Sequence, residues 1–500
     1  MTNNSTEVLN AIFKPKSVAV IGASNKLTSW GFSIFHNILL GGFTEKRNLY
    51  AVNPNPQQIL GKRTFSRVMD IPDEVDLGII AVRASIVPQV MEDLAVKGVR
   101  GAIVISSGFS EAGNKKEEEE LVRIARKGGF RIVGPNGMGV FSSPAKLNAL
   151  MSWVVPVPGP ISCISQSGNI GTILLRQGIV TGVGFRYYVS SGNEADLRVE
   201  DYLKYFTEDN ETKSILIYIE SIRNGEKFIK NAQNVSKEKP VIVLKGGKTP
   251  AGARATQSHT GSLAGARSIY EAAFNQTGLI QADTIDELFE LGVNFAFKPL
   301  PHGHNVGIIS VGGGWAVLAA DACQLEGLNV PTLQEELIME INELLPPYWP
   351  KNNPIDTVAL FDPSAFEKLL ILLLKQTYID GVLLLGLGGY GFYPKYLTLS
   401  PFVSEEEVQS VTLIADMEMH VVQAILKAEE TFQKPILVAS ILPFLSESTK
   451  VLAEHGHLPF SNPESAARCF AKLVKYRRYL DKLKRMNQSV SHLTQETRRQ

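Results

Sequence analysis

A single histidine, His259, lies in the stretch Lys245 to Gly265, KGGKTPAGARATQSHTGSLAG, which has almost no large apolar side chain to bury. A histidine held on a loop of Gly, Ala, Ser and Thr can move and be reached by a substrate, and charged groups can settle near it without steric conflict. That describes a nucleophile or a carrier of a charged group, and the competing reading is a solvated histidine on a surface loop. Glu220 ends the apolar run SILIYIE, on the side where loops gather in a parallel sheet. An exposed glutamate there is solvated unless His259 lies close by. A third element is ISCISQSGNIGTILLRQG, in which an apolar strand meets Ser165, Gln166, Ser167 and Gly168 and passes directly into a helix. Such a turn aims unpaired backbone N–H groups and the positive helix end at whatever lies above the strand, a ready anion site.

The elements that must position these groups alternate strand and helix. The opening segment reads strand SVAVIGAS, helix GFSIFHNILLGGF and strand NLYAVNPN, a βαβ unit whose first turn is Gly22-Ala23-Ser24. The glycine spacing falls short of G-x-G-x-x-G, and Asn53-Pro54-Asn55 stands where a ribose 2′-hydroxyl would need an acid, which argues against a nicotinamide-dependent oxidoreductase. DLGIIAV, GAIVISS and RIVGPN complete a doubly wound domain, and its strand ends carry Ser106-Ser107-Gly108 and Gly134-Pro135-Asn136, either ligand loops or ordinary turns. After the proline-rich VVPVPGP a second α/β domain begins, and a third appears as its repeat. NVGIISVGGGWAVLAADACQLEGL matches the strand, turn and helix of ISCISQSGNIG, with Gly312, Gly313 and Gly314 in the turn. Asn353 and Asp356 in NPID are expected to parallel Asn193 and Asp196 in GNEAD. Two copies of one fold would bring two helix N-termini to one phosphate. The expected architecture is α/β with three doubly wound domains, spanning 1–150, 151–300 and 301–480, and a polar tail over 481–500.

The 500 residues carry 50 Lys plus Arg and 50 Asp plus Glu, so no overall field draws the chain to nucleic acid or an anionic membrane. Cys163, Cys323 and Cys469 are far apart, odd in number and without metal spacing, so free thiols, no metal site and a cytoplasmic setting are expected. No N-terminal apolar run resembles a signal peptide.

In order along nearly the whole chain, IGAS, VNPN, SSGFSEAG, GPN, SQSGNIG, SSGNEADL, IYIES and above all SHTGSLAG resemble the ADP-forming (NDP-forming) acyl-CoA synthetases, relatives of succinyl-CoA synthetase. The resemblance implies a Rossmann-like CoA-binding domain followed by two flavodoxin-like CoA-ligase domains. It implies CoA contacts at Gly22, Ala23, Ser24, Asn53, Pro54, Ser107, Gly108 and Asn136, and phosphate contacts at Ser165, Ser167, Gly168, Gly312, Gly313 and Gly314. It also implies a phosphorylated His259 whose other ring nitrogen is held by Glu220. The reaction implied is acid–thiol ligation of the acetate–CoA ligase (ADP-forming) type, with acyl-CoA, phosphate and ADP giving acid, CoA and ATP. No ATP-grasp sequence occurs in the 500 residues, so the chain resembles an alpha-type subunit. ADP or ATP with Mg2+ is then expected on a separate ATP-grasp beta-type subunit, in a heterotetramer or with this chain as a homodimer. Departures from the family pattern are Asn55 for a common lysine, Arg83 for proline, Gly137 for cysteine and GGGW for GGPG. A CoA-binding regulatory protein without catalysis is the rival class.

Overall fold

A computed structural model describes residues 5–55, 58–260, 267–359, 362–389 and 391–497. Three sheets organise it, and each begins where the sequence shows an apolar run ending in small residues. In the first, β1 (Ser17–Ile21), β2 (Asn48–Val52), β3 (Thr64–Phe65), β4 (Leu77–Ile80), β5 (Gly101–Val104) and β6 (Arg131–Val133) lie in the order 3-2-1-4-5-6. All five pairings are parallel. This is the doubly wound order whose switch point falls between β1 and β4, so the turns after those strands open a crevice. Parallel strands covered on both faces should be apolar throughout, and β1 and β4 are buried at every position.

The second sheet contains β7 (Gly139–Ser142), β8 (Leu147–Leu150), β9 (Pro158–Ser165), β10 (Phe185–Ser190), β11 (Ser214–Ile219), β12 (Val241–Lys245) and β13 (Ile280–Ala282). Its order is 13-12-11-9-10-7-8. The parallel strands β9 to β13 follow the flavodoxin-like 2-1-3-4-5 order, and the hairpin β7–β8 adds antiparallel to β10. The sheet therefore takes in chain from Gly139 onward. One continuous core runs from Val18 and Val20 of the first sheet to Tyr187 and Ile217 of the second and to Tyr202 on the helix Val199–Glu208. The N-terminal helix Ser5–Phe13 contributes Phe13, which packs on Tyr187, Tyr205 and Phe206 at centroid distances of 5.3, 5.4 and 5.4 Å.

The third sheet is parallel: β14 (Val306–Ser310), β15 (Ile355–Asp356), β16 (Gly381–Leu387) and β17 (Ile436–Ser440), in the order 15-14-16-17. The chain divides into two compact units, one holding the first two sheets and the other, from Val293, the third. The repeat extends to single hydrogen bonds. Ser165 Oγ donates to the Ser167 carbonyl at 2.6 Å and Ser310 Oγ to the Gly312 carbonyl at 2.7 Å. The Ser191 and Thr357 N–H groups donate to the Ser165 and Ser310 carbonyls, each at 2.9 Å.

That register corrects one expectation. Asp356 pairs with Ser310 as Ser190 pairs with Ser165, so Asp356 does not correspond to Asp196. Asn353 precedes its strand, accepting from the Ile308 N–H at 3.0 Å, whereas Asn193 follows β10. The short spacing in NPID imitates GNEAD without sharing its place. The three cysteines are buried free thiols. Among the described residues no helix is long and apolar enough to cross a membrane, and no cluster of His, Cys, Asp and Glu could hold a metal ion.

Candidate functional site

The carboxyl ends of the first sheet's strands carry the loops expected to bind CoA. Gly22 follows β1 at φ +94°, and a Cβ on it would lie 2.4 Å from the Ala81 carbonyl oxygen after β4. Gly31, in the first turn of helix Trp30–Leu40, would set a Cβ 1.8 Å from the Gly22 carbonyl oxygen, so helix and strand touch backbone to backbone here. Glycine is required at both positions, and only Gly22 was singled out for its turn. Gly31→Ala is expected to cost about 1–3 kcal/mol, the usual range for overpacking. A urea midpoint equal to the parent's would contradict it. Asn53 Nδ2 donates to the Ala23 carbonyl at 2.8 Å, and Asn53 Oδ1 accepts from the Asn55 N–H at 3.0 Å. The residue that stands where a ribose acid would be thus fastens the first turn to the second. Ser24 Oγ accepts from the Lys26 N–H at 3.0 Å, while Pro54 and Arg83 are exposed.

The Ser107-Gly108 loop is tied by Glu111, whose carboxylate accepts from the Gly108 N–H and, at 3.1 Å, from the Phe109 N–H. Burial works to raise the Glu111 pKa, but the Asn193 amide and these N–H groups outweigh it and hold the carboxyl below its ordinary range. Asn193 Nδ2 also reaches Glu118 at 2.8 Å, and Asn136 Nδ2 donates to Asn193 Oδ1 at 3.2 Å. Asn193 therefore joins the loops of the first sheet to the turn after β10. The sequence names it only as a repeat marker.

In the second sheet Ser165, Ser190 and Ile219 end adjacent strands. The Ser165 hydroxyl shapes its own turn through Ser167, and the helix Gly168–Thr181 starts at once. Ser167 and Gly168 are half-buried, with the helix's first N–H groups beside them. Glu220 is only 7 % exposed, so it is a buried carboxylate rather than a solvated one. Tyr218 donates to its Oε1 at 3.2 Å. Strand β12 pairs with β11, bringing Lys245 beside Ile219, and Lys245 Nζ donates to the Glu220 carbonyl at 2.8 Å. Burial pulls the Lys245 pKa down to about 8 against the opposing charge of Glu220. Its ammonium also sits 4.6 Å from the Tyr270 ring centroid. Lys245 is a site residue the sequence reading passed over, since a lysine at a strand end gives no sign of being buried.

His259 leaves this edge on the segment after β12. The stretch was expected to be a loop, but its backbone is helical over Pro250–Thr260. Proline at the first helical position and the alanines behind it favour that start. The His259 side chain and residues 261–266 lie outside the described residues. In the second unit, Gly312, Gly313 and Gly314 open the helix Gly313–Leu325, and nothing lies within 4 Å of a Cβ built on Gly312 or Gly314. All three glycines are exposed.

Three family descriptions cover these regions: CoA binding domain at residues 16–143, succinyl-CoA ligase like flavodoxin domain at 158–295, and Ligase-CoA domain at 306–456. The alpha subunit of acetate–CoA ligase [ADP-forming] I from Pyrococcus furiosus is 38% identical over 95% of this chain and 99% of its own length. The chain belongs to the ADP-forming acetate–CoA ligase alpha-subunit family. Its superfamily is that of succinyl-CoA synthetase. An acetate–CoA ligase [ADP-forming] from Methanocaldococcus jannaschii is 40% identical over 71% of this chain but only 50% of its own length. Among solved structures, the dinucleotide forming acetyl-coenzyme A synthetase 1 of Ca. Korarchaeum cryptofilum, in complex with phosphate and ADP, superposes with TM-score 0.83. That relative is 33% identical, and the match covers 95% of this chain and 98% of the relative. The expected α/β class, with a Rossmann-like domain and two flavodoxin-like domains, is borne out.

Proposed function

We propose that this alpha-type subunit interconverts acyl-CoA, phosphate and ADP with carboxylic acid, CoA and ATP, through an acyl phosphate and a phosphohistidine at His259. The observation that carries the reading is the second sheet's carboxyl edge. A buried, backbone-clamped Glu220, a helix start at Ser167–Gly168 and the segment bearing His259 all leave neighbouring strands there.

Each group has a chemical task. Phosphate attacks the thioester carbonyl, the carbon–sulfur bond breaks, and CoA leaves as the thiol. A neutral imidazole then takes the phosphoryl group from the acyl phosphate and frees the carboxylate. Histidine suits this step because its ordinary pKa of about 6.5 leaves it largely neutral near pH 7. Glu220 holds the proton on the other ring nitrogen. Backbone N–H groups after Ser167 and Gly168 stabilise the anion, and Gly312 to Gly314 offer the same chemistry in the second unit. CoA is held by the Gly22-Ala23-Ser24 turn, Asn53, Pro54, Ser107, Gly108 and Asn136. Asn53 supports CoA over NAD, because its amide is committed to the Ala23 carbonyl and no carboxylate is present for a ribose.

The nucleotide, with Mg2+, is bound by a separate ATP-grasp beta-type subunit. Half of the Methanocaldococcus relative lies beyond its match to this chain, which supports a further module. The purified chain should therefore bind CoA but make no ATP from ADP, phosphate and acetyl-CoA until an ATP-grasp subunit is added. ATP synthesis by the chain alone, or calorimetry showing NAD bound and CoA not, would overturn this reading.

A further inference from the structure

Gln166 follows β9, and its side chain serves three backbone groups of the loop that carries Glu220. Its Oε1 accepts from the Glu220 N–H at 2.7 Å and from the Ser221 N–H at 3.1 Å, while Nε2 donates to the Ser221 carbonyl at 2.9 Å. Two N–H donors on one side and a carbonyl on the other settle which way the amide points. Its own N–H donates to the Tyr218 carbonyl at 3.1 Å, closing the link between β9 and β11.

The neighbouring strand supplies a second group. Glu194, in the turn after β10, is 3 % exposed and stands at φ +52°, a conformation uncommon for a side-chain-bearing residue. Its Oε1 accepts from Ser191 Oγ at 2.8 Å, and the Gln166 amide acts on the same carboxyl, favouring its charged form. Among the described residues no ion pair neutralises it. Arg223 is the cation that acts on it, but Arg223 is engaged by Glu118 at 3.6 Å and by the Asn193 carbonyl at 2.9 Å. From the helix Val199–Glu208, Glu200 and Tyr202 face the same carboxyl. Burial pushes the Glu194 pKa up to about 7, the Ser191 hydroxyl opposes, and Glu200 adds to the rise.

We infer that Glu194 and Gln166 are a positioning pair for the Glu220 loop: Glu194 orients the Gln166 carboxamide, and Gln166 fixes where the Glu220 backbone lies. The inference rests on the reading that Glu220 acts on the phosphorylated histidine. A consequence follows from charge. Ser191 bonds both to Glu194 and, through its N–H, to the Ser165 carbonyl at the end of β9, so an ionised Glu194 places a buried negative charge one residue's hydrogen bonds away from the strand that leads into Ser167–Gly168. The neutral acid keeps the orienting hydrogen bond without that charge.

The test compares phosphoenzyme formation, from acetyl-CoA and labelled phosphate, across pH 6 to 8 in the full chain. Glu194→Gln is isosteric and always neutral, so its rate relative to the parent should rise with pH, reaching roughly tenfold at pH 8 as the parent's acid ionises. Phosphate ionises identically in both assays and cancels. Gln166→Met, similar in size but without amide bonds, should label at least tenfold more slowly at all pH values while binding CoA as the parent does. A second readout needs no catalysis. A carboxyl whose folded pKa is raised loses stability as pH climbs from its ordinary value towards 7, so Glu194→Gln should melt above the parent at pH 8 and nearly with it at pH 5. Parallel melting and labelling profiles for Glu194→Gln and parent, or parent-like labelling by Gln166→Met, would overturn the pair. Parent-like labelling by Glu220→Gln would instead sink the reading beneath it, whatever the melting profiles show.

Discussion

With acetyl-CoA, labelled phosphate and no nucleotide, the parent chain is expected to accumulate acid-labile, base-stable label, and the His259→Ala chain none. The half-reaction needs a CoA site, an anion-binding helix start and a nucleophilic imidazole, all of which the proposed reading places in this one chain. Other histidines are poor substitutes. His457 is 4 % exposed and bound through Nε2 to Glu429 at 3.0 Å, and His455 Nδ1 is bound to the Val451 carbonyl at 2.8 Å. Both belong to the second unit, after β17, and neither follows a strand of the second sheet. Glu220→Gln should retain label but acquire it roughly a hundredfold more slowly, since the amide keeps the shape while losing the charge that stabilises an imidazolium. Label on His259→Ala at the parent rate, detected as phosphohistidine after alkaline hydrolysis, would place the nucleophile elsewhere.

What the sequence discloses of this site follows from how local each signal is. The strands β1, β9 and β14 are apolar runs ending in small residues, and their turns were legible at Gly22, Ser165 and Gly312 without any partner in view. Strand β10, FRYYVS, was missed because Arg186 breaks the apolar run, although the buried Tyr187 and Tyr188 make it a central strand. The two-residue β3 and β15 carry no periodicity at all. Glu220 could be placed at a strand end, but its burial could not, because the groups that enclose it arrive from β9 and β12. Gln166 is 54 residues away from the backbone it holds. Glu194 lay unremarked inside GNEAD for the same reason: its environment is set by Ser191, Gln166 and Glu200 together, and no spacing rule reports burial. The histidine segment erred in the other direction. Small residues suggested a loop, whereas alanine within Pro250–Thr260 is as compatible with helix as with mobility.

The second unit offers the other large effect. Lys298, Glu429 and His457 are all buried, at 6 %, 9 % and 4 % exposure. Glu429 Oε2 accepts from Lys298 Nζ and from His457 Nε2, each at 3.0 Å, and Oε1 accepts from the Ile436 N–H at 2.9 Å. One carboxylate thus ties the end of helix Glu405–Phe432 to the residue after helix Ile285–Phe297, to the start of β17 and to the loop before helix Pro463–Thr497. Burial draws the Lys298 pKa down to about 8 even with Glu429 beside it. Burial likewise lowers the His457 pKa, so the imidazole is neutral and donates through Nε2. Glu429→Leu should cost about 3–5 kcal/mol at pH 7, because it leaves the ammonium buried without its counter-charge. Lys298→Met should cost a similar amount by stranding the carboxylate. The double variant should cost much less than the two losses added, since an apolar pair of similar volume removes both desolvation penalties. Sign and window follow from the carboxyl. Burial works to raise the Glu429 pKa, but Lys298 and His457 hold it below its ordinary 4.5, so its contribution is present above 4.5 and is lost as pH falls through the depressed value. Guanidinium unfolding at pH 7 and pH 4 measures both statements, and strictly additive single and double losses would show that the three groups do not act as one unit.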